Sequence, residues 1–414
     1  MNRGWLGTTT ITRTSCRTCG SNRLTLLVEY GDMPLAGGFL TADELALQAA
    51  FPLRLARCED CTLMQILDIV PPAEIFTQYS YVSSTTRTLI DHFARMGPEI
   101  VEREGARGRL VVEFGCNDGV LLKPLRAAGA HVVGVDPSDV ALRASREGGW
   151  PLVQDYFNES SAQRVREQYG RARIVTGNNV FAHVEDLHGI VRGVTTLLED
   201  DGVFVCEVQY QGDLIALVQY DTVYHEHVYY HSLVGLQRLF AAHGLRIVDV
   251  TRIPIHAGSV RVTAARIGSG RAPAPIVEEM IEAEHGWRVD RFGDRVRARQ
   301  QTLHALVSDL KRAGRRIVGY GAAGRSTILL NFCRLGADLI DYVVDMSPLR
   351  YGKYVPGVNI PIVPPDVFHR DPPDFAIMTA WNYEPEIVEK EQAFLSHGGR
   401  FIVPLPEVRV VGPV

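Results

Sequence analysis

The sequence predicts an α/β protein in which a small metal-bound domain precedes two doubly wound, mostly parallel sheets. Three observations carry this. Cys16-Arg17-Thr18-Cys19 and Cys58-Glu59-Asp60-Cys61 are two cysteine pairs with zinc-knuckle spacing. Arg109–Phe114 runs through Gly115-Cys116-Asn117-Asp118-Gly119 into a helix and then a strand, His131–Val135, that ends on Asp136. Arg316–Val318 runs through Gly319-Tyr320-Gly321-Ala322-Ala323-Gly324 into a helix and a strand, Leu339–Val344, that ends on Asp345. The last two patterns echo one another, as two separate Rossmann-like units would.

Length and composition agree. A chain of 414 residues is too long for one core and implies two or three domains. With 46% hydrophobic and 22% charged residues it has a globular composition, and a net charge of −5 argues against nucleic acid or anionic membrane as a partner. Only Lys123, Lys311, Lys353 and Lys390 among 43 basic residues are lysine, so arginine pairs such as Arg315-Arg316 reflect a compositional bias rather than a binding patch. No apolar run reaches membrane-spanning length, and Met1-Asn2-Arg3-Gly4-Trp5 opens no signal-peptide core, so a cytoplasmic location is expected.

Taken in order, residues 1–75 form the zinc-binding domain. Four thiolates, kept reduced in the cytoplasm, fill a tetrahedral ion and leave no open position for catalysis. Gly20 suits the tight turn after the first pair, while Cys116, Cys206 and Cys333 lie in apolar surroundings that suit burial. Residues 76–267 open with a helix over Thr85–Arg103 and continue as strands and helices, with further strands at Ile174–Thr176 and Gly202–Glu207. A charged stretch, Ile276–Arg312, reads as one or two helices connecting to a third domain over 313–414.

The two glycine turns differ chemically. Glu113 stands just before the first, where a carboxylate repels a pyrophosphate but accepts hydrogen bonds from an amine and from ribose hydroxyls; that favours S-adenosylmethionine over a dinucleotide. Asp136 is placed for the ribose and Asp155 for the adenine amino group. The second turn is neutral, and Gly319, Gly321 and Gly324 with Asp345 about 20 residues on match the dinucleotide fingerprint, which a nucleoside diphosphate-sugar also satisfies. Between the two turns, Tyr224-His225-Glu226-His227 puts imidazoles beside a carboxylate in a run too rich in aromatic and β-branched residues for a good helix. A proton-abstraction site is expected there.

Together, the zinc knuckles, Glu113–Leu122, Asn178-Asn179-Val180-Phe181-Ala182-His183, Tyr224-His225-Glu226-His227, His256-Ala257-Gly258-Ser259-Val260-Arg261 and Gly319–Asn331 resemble the sugar C-methyltransferases of deoxysugar pathways in antibiotic biosynthesis, over nearly the whole chain. The resemblance implies a zinc-binding N-terminal domain, a central class I methyltransferase Rossmann-like domain and a C-terminal Rossmann-like domain that helps to bind a dTDP-4-keto-deoxysugar. It implies C-methylation beside the ketone, at C-3, with His227 as base and Tyr224, Glu226, His183 and Tyr79 around the sugar ring; His225 is a further candidate donor to the enolate oxygen. Glu113, Gly115, Asn117, Asp136, Asp155 and Asn178 are the candidate contacts to S-adenosylmethionine. Gly321, Ala323, Gly324, Arg325, Asn331 and Lys353 are those to the nucleotide-sugar. Two motifs depart from the family: His-Gly-Gly-Ser reads His256-Ala257-Gly258-Ser259, and the phosphate turn carries Arg325 in place of lysine. The alternatives are an NAD-dependent oxidoreductase built on the third domain and a non-catalytic zinc-ribbon protein that senses a nucleotide.

Overall fold

The computed structural model describes residues 10–71, 82–85 and 87–412; Tyr79 lies outside them. At the N-terminus, β1 (Ile11–Thr12), β2 (Leu24–Pro34), β3 (Ala50–Cys58), β4 (Met64–Ile66) and β5 (Asp68–Ile69) follow one another. β2, β3 and β4 pair antiparallel, and β1 pairs with β5. The two knuckles stand at the ends of these strands, each closed by a left-handed residue directly after its second cysteine, Gly20 (φ 74°) and Thr62 (φ 65°).

The Arg87–Arg103 helix buries Leu89, His92, Phe93, Met96 and Ile100, a spacing of three and four residues that puts them on one face. It leads into β6 (Leu110–Phe114), β7 (His131–Val135), β8 (Leu152–Val153), β9 (Ala172–Asn178) and β10 (Leu198–Gln209), all parallel and separated by helices. The buried Val-rich strands are those of a sheet covered on both faces. After a short strand, β11 (Tyr229–Tyr230), the sheet is completed by the antiparallel pair β12 (Leu245–Ile253) and β13 (Ser259–Arg266), giving the order β12-β13-β10-β9-β6-β7-β8. β11 does not join it. It pairs with β4, so the N-terminal sheet reads β11-β4-β3-β2 and holds a strand of the central chain.

Helices Pro275–His285 and Phe292–Arg312 connect to the second Rossmann-like sheet. It contains β14 (Ile317–Tyr320), β15 (Val343–Val344), β16 (Tyr354–Val355), β17 (Ile360–Val363), β18 (Phe375–Met378), β19 (Arg400–Val403) and β20 (Arg409–Val411), in the order β16-β17-β15-β14-β18-β19-β20. The five-strand centre is parallel and both edge strands are antiparallel. The strand expected over Leu339–Val344 is regular only at Val343–Val344. Leu339 and Ile340 donate instead to the carbonyl of Gly336, at 3.0 and 2.9 Å, and form a turn.

Candidate active site

The four knuckle cysteines converge. Cys16 Sγ lies 3.4 Å from Cys61 Sγ and Cys19 Sγ 3.5 Å from Cys58 Sγ, with all four sulfurs within 4.8 Å of one another. Thiolates around a tetrahedral zinc at about 2.3 Å stand roughly 3.8 Å apart, a spacing that this donor set brackets. Cys16, Cys58 and Cys61 are buried. Zinc held by Cys16, Cys19, Cys58 and Cys61 would close the N-terminal domain.

The first glycine turn is built around Asp136. Its Oδ2 accepts the Asn117 N–H at 2.9 Å and its Oδ1 the Ser138 N–H at 2.8 Å, which locks the two loops above β6 and β7. Among the described residues no cation pairs with it, and each carboxylate oxygen keeps a lone pair for a ribose hydroxyl. Gly115 has φ 65°, and a Cβ there would meet Val180 Cγ2 at 2.4 Å. Glu113 Oε2 and Asp118 Oδ1 are buried without a hydrogen-bond partner among the described residues. Burial, then Asp136 and Asp118, pushes the Glu113 carboxyl well above its ordinary range. A cationic, hydroxyl-bearing ligand relieves both orphaned acceptors, and S-adenosylmethionine has that chemistry. Two further candidates are differently employed. The Asn178 amide joins Thr176 to the Glu207 N–H inside the sheet, and Asp155 is a partly exposed partner of Arg164.

Tyr224-His225-Glu226-His227 forms an irregular loop, as expected, between a 3-10 turn, Tyr220–Thr222, and β11. His227 Nδ1 lies 3.1 Å from the Thr222 carbonyl, so that nitrogen carries the proton and Nε2 is the acceptor. The Tyr224 hydroxyl meets Nε2 at 3.0 Å. The His183 ring stands edge-on, 4.9 Å from that of His227, and its Nδ1 donates to the Glu226 carbonyl at 2.7 Å. Burial first, then His183, holds His227 well below the usual imidazole range, and burial lowers His183. Glu226 accepts the Gly37 N–H at 3.2 Å through Oε1, while Oε2 is buried without a partner among the described residues; burial raises its carboxyl. His225 is not part of this group. Its ring turns into the N-terminal domain, where Nε2 donates to the Pro52 carbonyl at 3.0 Å and Phe51 packs edge-on at 6.0 Å.

The second glycine turn repeats the first around Asp345, whose Oδ2 accepts the Ala322 N–H at 2.6 Å and Oδ1 the Ser347 N–H at 2.7 Å. Here Arg350 adds an ion pair at 3.0 Å, so this carboxylate is neutralised where that of Asp136 is not. Gly321, Ala323, Gly324 and Arg325 stand together at the start of the Gly324–Phe332 helix. Asn331 is seven residues further on, roughly 10 Å along the axis, and its amide donates to Thr327 and Pro356. Lys353 lies apart from the turn, beyond a short 3-10 helix, Pro348–Arg350.

Family models match the whole order of domains: a zinc binding domain over residues 16–76, a methyltransferase domain over 81–250 and a C-methyltransferase C-terminal domain over 254–406. C-methyltransferase NovU of Streptomyces niveus is 38% identical over 408 residues, covering 96% of each chain. The chain belongs to the C-methyltransferase family. It is therefore an S-adenosylmethionine-dependent methyltransferase with a zinc-binding N-terminal domain. A ubiquinone biosynthesis O-methyltransferase of Aromatoleum aromaticum is 33% identical over 102 residues, 24% of this chain and 43% of that one. Among solved structures, magnesium protoporphyrin IX methyltransferase from Synechocystis PCC 6803 with bound S-adenosylmethionine is 17% identical, with a TM-score of 0.33 over 43% of this chain and 79% of that one. Among the described residues no helix of this C-methyltransferase is long and apolar enough to cross a membrane.

Sequence reasoning gave no role to several groups of this C-methyltransferase that border the site. Asp221, three residues before Tyr224, is fully buried. Glu207 receives His92 at 2.8 Å and Arg261 Nε at 2.8 Å; burial raises its carboxyl, but these two partners more than offset that and hold it low. His256 is lowered to about 4, first by burial and then by Arg325. It begins three consecutive positive φ values, 55°, 64° and 119° at His256, Ala257 and Gly258. The departure at Ala257 thus puts a Cβ in left-handed backbone, where the family's glycine carries none. Ala257→Gly is expected to raise stability by about 1 kcal/mol, read as a higher urea midpoint at unchanged slope.

Proposed function

We propose that the enzyme methylates a dTDP-linked 4-keto-deoxysugar at the carbon beside the ketone, C-3, with His227 as the base. The observation that carries the reading is the 3.1 Å contact of His227 Nδ1 with the Thr222 carbonyl, which as an acceptor assigns the proton to that nitrogen. With Nδ1–H fixed on the Thr222 carbonyl and the ring held neutral, Nε2 offers a lone pair at working pH. A hydrogen on a saturated sugar carbon leaves at neutral pH only beside a carbonyl, which makes the acceptor a keto sugar. The resemblance to sugar C-methyltransferases supports dTDP as its carrier.

His227 Nε2 takes the α-proton and the electron pair of that C–H bond passes to the enolate. The Tyr224 hydroxyl, released from Nε2, donates to the enolate oxygen. Burial, with His183 beside it, disfavours the protonated form of His227, so the proton taken up is returned readily to solvent. S-adenosylmethionine, when bound, supplies an electrophilic methyl group on a sulfonium that leaves as a neutral thioether. Glu113 and Asp136, at the carboxyl ends of the neighbouring parallel strands β6 and β7, are the groups that hold that donor in this reading.

Incubation with S-adenosylmethionine and dTDP-4-keto-6-deoxysugars, followed by mass spectrometry, tests the reading. A product heavier by one methylene, with the methyl carbon on C-3 by NMR, is expected. Absence of methylation together with oxidation of the sugar by NAD would replace it with the oxidoreductase alternative.

A further inference from the structure

A buried polar clasp joins the C-terminal sheet to the segment that carries His227, beside the packing of Tyr220 on Phe332 and Cys333. Asp221 Oδ2 accepts the indole N–H of Trp381 at 2.8 Å and lies 3.6 Å from Arg325 Nε. Arg325 Nη1 donates to Asn382 Oδ1 at 2.8 Å, and its guanidinium lies 5.1 Å from the centre of the Trp381 ring. Arg325 follows β14 and Trp381 follows β18, so both project from the carboxyl ends of neighbouring parallel strands. In a doubly wound sheet that crevice is where a ligand binds. Here a carboxylate of the central domain occupies it.

Asp221 shares a peptide with Thr222, whose carbonyl orients His227 Nδ1 and also accepts the Tyr230 hydroxyl at 3.0 Å. The clasp and the base are therefore one covalent step apart. We propose that Arg325 and Trp381 are positioning residues for methyl transfer, which act through Asp221 to hold the Thr222 carbonyl on His227, and that Arg325 is not a phosphate ligand. The titratable and charged groups facing His227 are His183, His256, Tyr224, Glu226, Tyr230 and Arg325. Of these, Arg325 is the charged group that the C-terminal domain contributes, and Tyr224 packs beside Gly324 at the start of the same helix. The inference rests on the reading of His227 as base.

Histidine labelled with 15N in the full-length enzyme tests it. The His227 Nδ1–H resonance, identified by its loss in His227→Asn, is expected to exchange slowly with water in the native protein. Trp381→Phe removes the indole donor but keeps an aromatic ring beside Arg325, and Arg325→Lys keeps the charge; a thermal melt checks that both variants fold. In Trp381→Phe the proton is expected to exchange at least about tenfold faster and kcat to fall about tenfold, with the affinity for dTDP alone within about threefold of the native value. Arg325→Lys is expected to fall between the two. Unchanged exchange in both variants overturns the proposal, and so does a loss of about tenfold or more in dTDP affinity at unchanged exchange in Arg325→Lys, which would make Arg325 a phosphate ligand. Near-normal turnover of His227→Asn would remove the base assignment but leave the exchange result standing, so the two failures are distinguishable.

Discussion

His227→Asn is expected to slow methyl transfer by roughly 10²–10⁴-fold, the usual contribution of a positioned general base. Asparagine is close in volume and can still hydrogen-bond near the Thr222 carbonyl, but it offers no lone pair basic enough to take an α-proton. The groups proposed to hold S-adenosylmethionine, Glu113 and Asp136, are untouched by the substitution, so calorimetry is expected to find its affinity unchanged. The pH profile is diagnostic as well. Burial and His183 hold His227 well below the ordinary imidazole value of about 6.5, so the base form persists as pH falls through that value. Native kcat is thus expected to stay level from pH 8 to below pH 6.5. A rate that halves near pH 6.5, or near-normal turnover of the variant, would transfer the base role to another group.

Cys58→Ser is expected to reduce bound zinc below one equivalent and to destabilise the protein by several kcal/mol, since structural zinc sites contribute roughly 10–16 kcal/mol of apparent binding energy in small domains. Metal analysis and thermal unfolding read the two effects. Turnover falls with them, because β11, which follows His227 directly, is paired into the zinc domain's sheet. Affinity for S-adenosylmethionine is expected to remain within about threefold. A variant that melts like the native protein and retains its metal would refute the knuckle assignment.

Features that are local in sequence were legible before the structure. Cysteine spacing located the metal cluster, and the strand, glycine turn and acidic residue pattern located two Rossmann-like sheets whose Asp136 and Asp345 make the same pair of amide contacts. Spacing could not distinguish those two acids, because the difference lies in Arg350. Nor could it orient the four residues of the histidine loop: His225 turns away because Pro52 and Phe51, distant in sequence, receive its ring. The Thr222 carbonyl was invisible for a different reason. Any residue type supplies a carbonyl, so no side-chain pattern marks one. Asp221 was equally silent, since its partners Arg325 and Trp381 come from another sheet more than a hundred residues away.

The placement of β11 bears on how such enzymes can be recombined. Tyr229 and Tyr230 are fully buried against Met64 and Gln65, so the N-terminal sheet is incomplete without a strand borrowed from beyond the histidine loop. A chimera that exchanges the first 71 residues for those of a relative also exchanges the strand against which the segment after His227 is paired. Grafts that move residues 10–71 together with 219–231 keep that pairing intact, whereas cuts at the apparent module border leave an unpaired tyrosine-rich edge open to self-association. The unit of inheritance is thus discontinuous in sequence.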